Sequence, residues 1–102
     1  MSAAYWEKVD VAQGVWMWVE FRTVRGTMVD YVVVLTRWAE SNVETIRIYD
    51  GAHGVNEMHR FTRSAGKQDG VEIHSGTLSE GMRSAKEQIK RSYRSMIEGW
   101  RR

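Results

Sequence analysis

From Leu78 to the end of the chain, apolar residues return at steps of four, three, four, four, three and four: Leu78, Met82, Ala85, Ile89, Tyr93, Met96 and Trp100. That spacing places them on one stripe of a helix. A stripe of this length cannot remain in water, so the rest of the chain must offer an apolar surface to cover. Thr77-Leu78-Ser79-Glu80 supplies the start signal. In this capping-box arrangement the Thr77 hydroxyl accepts from the Glu80 amide, and the Glu80 carboxylate reaches back. Arg83, Lys86, Lys90, Arg91 and Arg94 fall mainly off the stripe. Gly81 and Gly99 weaken the helix ends slightly.

The surface to be covered is written upstream with a period of two. In Val15–Arg22, Val15, Met17, Val19 and Phe21 share one face, and Trp16, Trp18, Glu20 and Arg22 share the other. After a turn at Arg25-Gly26, Met28–Thr36 alternates again, with Val29, Tyr31, Val33 and Leu35 on one side. β-branched richness favours strand over helix, and the short glycine-containing connection predicts an antiparallel hairpin. A third strand follows over Val43–Tyr49, with Ile46 and Ile48 inward and Thr45, Arg47 and Tyr49 opposite. A fourth is expected near Met58–Thr62. A polar loop spans 64–70, and Val71–His74 is a weaker strand candidate.

Strands followed by one helix give an α+β fold in two layers. The expectation is an antiparallel sheet of about four to five strands (about 15–74) packed by one long C-terminal helix (about 78–100). At 102 residues the chain suits one domain. Trp16 and Trp18 then emerge on the sheet face the helix does not cover, as do Val32 and Val34. Either the N-terminal segment with Tyr5 and Trp6 covers them, or a partner or second copy does.

Composition excludes several classes. There is no cysteine, so disulfides, thiolate zinc sites and a cysteine nucleophile are ruled out. No apolar run approaches the ~18–20 residues that span a membrane. Met1–Lys8 carries no secretory pattern, and a cytoplasmic location is expected. The net charge of +2 conceals an asymmetry: residues 1–59 balance to −3 and residues 60–102 to +5. A basic C-terminal half suits either an anionic partner such as RNA or simply a solvated helix face.

The densest chemistry lies in Tyr49-Asp50-Gly51-Ala52-His53-Gly54-Val55-Asn56-Glu57-Met58-His59-Arg60. Asp50-Gly51 is an ordinary turn signal at a strand end. Imidazoles and carboxylates are competent metal ligands, but the spacing of His53 and His59 matches no tight metal signature, and no metal or other cofactor is expected. General acid–base chemistry needs less. His53 and His59 could exchange protons, Arg60 with Arg63 could stabilise a developing phosphorane, and Lys86, Lys90 and Arg94 could hold an RNA backbone. Tyr49 could stack a base, and Asp50 would support the site. His74 stands apart and reads as structural or surface. Tyr93 and Trp100 sit at core spacing. No P-loop, no Gly-x-Ser-x-Gly elbow and no dinucleotide fingerprint occurs.

Over about residues 28–100 the chain resembles the TumE-like small toxin family and related short domains of unknown function. Tyr49-Asp50 match that family's strand end, Gly54 its glycine, and His59-Arg60 the first two members of its His-Arg-His-like cluster. The chain departs from the pattern at Phe61, where the second histidine would stand, and at Gly51, where the family tends to have Asn. The resemblance implies a compact α+β domain and a toxin of a toxin–antitoxin pair whose target is RNA; without the second histidine, the chain has either lost that family's activity or uses His53 instead.

Two readings follow. The first is a small toxin-like protein that acts on or binds nucleic acid, with a metal-independent ribonuclease as its enzymatic form and a cognate antitoxin as its partner. The second is a non-enzymatic interaction or dimerisation module, of phage or host accessory type, that uses the aromatic strand around Trp16 and Trp18. A homodimer is expected in both.

Overall fold

The computed structural model describes residues 1–102 except His53, and every side chain among them except that of His74. The elements run β1 (Ser2–Asp10), a short 3-10 turn (Val11–Gln13), β2 (Val15–Val24), β3 (Thr27–Ala39), β4 (Asn42–Asp50), β5 (Asn56–Thr62), β6 (Gly66–Lys67), β7 (Val71–His74) and α1 (Leu78–Trp100). β1 to β6 are neighbours in chain order, and β7 pairs with β5. Every ladder among the described residues is antiparallel.

The α+β architecture and the single C-terminal helix match expectation, and the strand count exceeds it. The N-terminal segment, expected at most to cover the open face, is itself a strand. It pairs with β2 along almost its whole length, from Ser2 opposite Arg22 to Lys8 opposite Trp16. The two-residue β6 falls within the segment expected to be loop. Both are short or polar enough for period-two patterning to miss.

α1 begins where the capping box places it. The Thr77 hydroxyl accepts from the Glu80 amide at 3.1 Å, and Glu80 accepts from the Thr77 amide at 2.9 Å. Its stripe buries Ala85, Ile89, Met96 and Trp100 against Val15, Met17, Val19, Tyr31, Val33, Leu35, Tyr49 and Met58. Each Å² of apolar surface this contact removes from water is worth roughly 25 cal/mol.

One expected facing is reversed. An irregularity in the β3–β4 ladder moves the pairing from Leu35 opposite Arg47 to Thr36 opposite Thr45. Ile46 occupies the extra position, so alternation restarts after it. Ile46 and Tyr49 are therefore buried under the helix, and Ile48 turns to the other face. This bulge decides which residues around Asp50 are available for chemistry.

The helix covers one side of the sheet only. Two cross-strand rows line the other. The register runs Trp6–Trp18–Val34–Ile48–His59 in one row. The adjacent row runs Ala4–Glu20–Val32–Asp50–Glu57.

Candidate functional site

Asp50 ends β4 and Glu57 is the second residue of β5, directly opposite it. His59 lies two residues along β5 and projects to the same side as Glu57. The hairpin can close in this way because Gly51 leaves room: a β-carbon there would come 2.8 Å from Leu78 Cδ2 and 2.9 Å from Tyr31 Cε1. The Ala52 amide donates to Asp50 Oδ1 at 3.3 Å, which holds the other oxygen, Oδ2, toward His59.

His59 is held from both ends. Its Nδ1 lies 3.1 Å from the Gln68 carbonyl oxygen. A carbonyl only accepts, so Nδ1 carries the proton. Its Nε2 lies 3.6 Å from Asp50 Oδ2 and 3.6 Å from Glu57 Oε2. The three side chains are largely but not wholly screened from solvent, with 16%, 16% and 26% exposure for His59, Asp50 and Glu57. Gly70 forms the wall beside them. A β-carbon on it would come 2.6 Å from His59 Cε1 and 2.7 Å from Glu57 Oε2. With Nδ1 protonated, Nε2 is a lone pair facing two carboxylates unless something positive sits there. The arrangement is built to hold a proton or a small cation at that atom.

The other expected site residues separate. Arg60 follows His59 on a strand and points to the opposite face, across from Arg47. It does not join His59 around one reacting group. Tyr49 is fully buried and its hydroxyl lies 3.3 Å from Gln88 Oε1, so no ring face is free to stack a base. Arg63 lies over the Trp100 ring, 4.9 Å from its centroid. His53 lies outside the described residues, as does the side chain of His74.

The helix cations have partners within the chain. Lys86 and Lys90 both reach Glu7, at 2.9 and 2.6 Å. Lys86 also donates to the Tyr5 hydroxyl at 3.2 Å. Arg94 lies 3.8 Å from Asp10, which also accepts from the Tyr93 hydroxyl. Burial works to raise the Glu7 pKa, but the hydrogen bonds from Lys90 and Lys86 and their charges outweigh it, and the net shift is downward. Burial works to lower the Lys86 pKa, and its bonds to Glu7 and Tyr5 reverse that, so it is raised.

In the sequence Glu57 stands with Asp50 as a carboxylate near His53 and His59, a competent metal ligand, whereas nothing there singles out Gln68, Gly70 or Glu20. A hairpin register counted from the Asp50-Gly51 turn would have set Asp50 opposite Glu57. Nothing in the sequence announces that the β6–β7 segment folds back onto His59.

Comparison with protein-family models, with curated proteins and with solved structures found no match for this chain.

Proposed function

We propose that this protein is an interaction module that receives a cationic amphipathic segment of a partner protein on its open sheet face. The observation that carries the reading is the pairing of two rows on that face. The row Trp6–Trp18–Val34–Ile48 is apolar, and beside it stand Glu20, Asp50 and Glu57. Each row crosses five strands, roughly 19 Å at the usual interstrand spacing, and the rows lie roughly 7 Å apart.

Trp6 and Trp38 remain 43% and 47% exposed. Trp6 packs against both Trp18 and Trp38, with centroids 5.1 and 5.4 Å away. The Trp18 indole N–H donates to Glu20 at 2.6 Å, joining the apolar row to the acidic one. Exposed aromatic clusters of this kind are what interfaces use as anchors. The acidic row favours a basic partner and repels phosphate. The cations that would have held an RNA backbone, Lys86, Lys90 and Arg94, are engaged by Glu7 and Asp10, so a nucleic-acid reading has less support.

Binding of a Leu/Lys amphipathic peptide, followed by fluorescence anisotropy, tests the proposal. The wild type should bind, and Trp6→Ala and Trp18→Ala should each weaken binding at least about tenfold, the scale of an aromatic hot spot. Glu20→Gln should weaken it less and reduce its salt dependence. Binding of single-stranded RNA in place of the peptide, or peptide binding indifferent to both tryptophans, would overturn the reading. A dimer in sedimentation equilibrium that Trp18→Ala dissolves would reassign the face to a second copy.

A further inference from the structure

We infer that Asp50, Glu57 and His59 form a binding site for one divalent transition-metal ion, with zinc the best match to the donors. The inference does not rest on the partner proposal, since metal binding is read on the chain alone.

Three observations converge. First, one ligand atom from each of the three residues can be chosen so that all lie within 4.8 Å of one another. Tetrahedral zinc with donors at ~2.0–2.1 Å separates them by ~3.3 Å. The 3.6 Å from Nε2 to each carboxylate oxygen needs a contraction of a few tenths of an ångström, and the two carboxylate oxygens, within 4.8 Å of each other, close further by side-chain rotation.

Second, Nε2 is not committed to a hydrogen bond with either carboxylate. An imidazolium N–H draws its carboxylate acceptor to ~2.7–2.9 Å. Here both carboxylates stand back equally, at 3.6 Å. Nε2 thus makes no hydrogen bond to either carboxylate, and its lone pair faces both of them.

Third, the outer support comes from a separate loop. The Gln68 carbonyl accepts from His59 Nδ1, which fixes the tautomer that presents Nε2 to a metal. Metal-bound histidines are commonly held in this way by a backbone carbonyl or carboxylate. Gly70 keeps the neighbouring space clear, since its β-carbon would stand 3.0 Å from His59 Nε2.

One nitrogen and two carboxylate oxygens suit zinc, manganese or cobalt better than magnesium or calcium, which prefer oxygen alone. Two carboxylates balance the charge of a divalent ion, the imidazole stays neutral, and Glu20 then carries the negative charge of the row that faces a partner. Water completes the shell. The spacing of these residues in the sequence matches no metal signature because they meet across a hairpin register rather than at a helical or loop spacing.

Isothermal titration with zinc, on the full chain at a pH above the ordinary imidazole range, tests the inference. One zinc should bind per chain. Nitrogen NMR should show His59 coordinated through Nε2 with its Nδ1 proton retained. His59→Gln and Asp50→Asn should each weaken binding at least tenfold, with near-ultraviolet circular dichroism confirming that the tryptophan packing survives. Should His59→Gln perturb that packing, Glu57→Gln serves as the second variant. No stoichiometric binding, or binding unchanged in the folded variants, would overturn the inference.

Discussion

The Lys90 ammonium lies 2.6 Å from the Glu7 carboxylate, which joins the exposed edge strand to the middle of the helix. Lys86 shares the same carboxylate from one turn earlier. The basic stripe of α1 is thus partly a device for fastening the helix to β1. Glu7→Gln should lower stability by about 1 kcal/mol, the upper range for a partly exposed pair. The pH dependence has a fixed sign. Glu7 has a lowered pKa in the fold, so its contribution is present above the ordinary value of 4.5 and is lost as pH falls through the lower folded value. Urea unfolding across that acid range should show this loss in the wild type and a flatter profile in Glu7→Gln.

The same substitution should alter how the protein meets polyanions. With Glu7 neutral, Lys86 and Lys90 lose their internal counter-charge and become available to phosphate or sulfate. Glu7→Gln should elute from heparin at higher salt than the wild type, because each added phosphate-type contact steepens the dependence on salt. Elution at unchanged salt would show that these lysines contribute nothing to the surface potential sensed by a polyanion.

Tyr31 provides a limit at the alkaline end. Its hydroxyl donates to Asn56 Oδ1 at 2.7 Å inside the core. Burial first, and the negative charge of Asp50 second, push its pKa up to about 12. A raised folded pKa means that the stabilisation is complete below the ordinary value of 10.0 and is lost as pH rises toward 12. Tyr93 is shifted in the same direction, chiefly by its hydrogen bond to Asp10. The difference between wild type and Tyr31→Phe isolates the Tyr31 part. Tyr31→Phe should cost about 1 kcal/mol near neutral pH and lose less stability than the wild type between pH 10 and 12.

Much of this architecture was legible because burial imposes simple periods. The helix and its cap were fixed by the stripe from Leu78 and by Thr77 and Glu80. The inward set Val15, Met17 and Val19 followed from alternation. The features that escaped are those in which a period is broken or a contact is distant. Ile46 shifts the phase of β4, so Tyr49 turns inward and Ile48 outward. Glu7 and Asp10 meet Lys90 and Arg94 across more than eighty residues of chain, and no local pattern announces that. Within the stretch from Tyr49 to Arg60, Asp50 and His59 lie together with Glu57, and Arg60 points away because adjacent strand residues face opposite sides.

Gly81 and Gly99 separate helix propensity from packing within a single helix. By propensity alone, replacing either with alanine should stabilise α1 by roughly 1 kcal/mol. At Gly99 nothing lies within 4 Å of the added β-carbon, so Gly99→Ala should deliver most of that gain. At Gly81 the β-carbon would fall 1.9 Å from Asn56 Oδ1 and 2.2 Å from Asn56 Cγ. Asn56 cannot easily withdraw. It is 1% exposed, accepts from Tyr31, and donates to the Gly76 and Thr77 carbonyls at 3.2 Å, just where the helix begins. The overlap therefore outweighs the propensity gain, and Gly81→Ala should destabilise the protein by roughly 2–3 kcal/mol, as overpacked cores do. Urea denaturation of the two variants should move the midpoints in opposite directions. A stabilised Gly81→Ala would mean that the start of α1 can shift away from Asn56 at little cost.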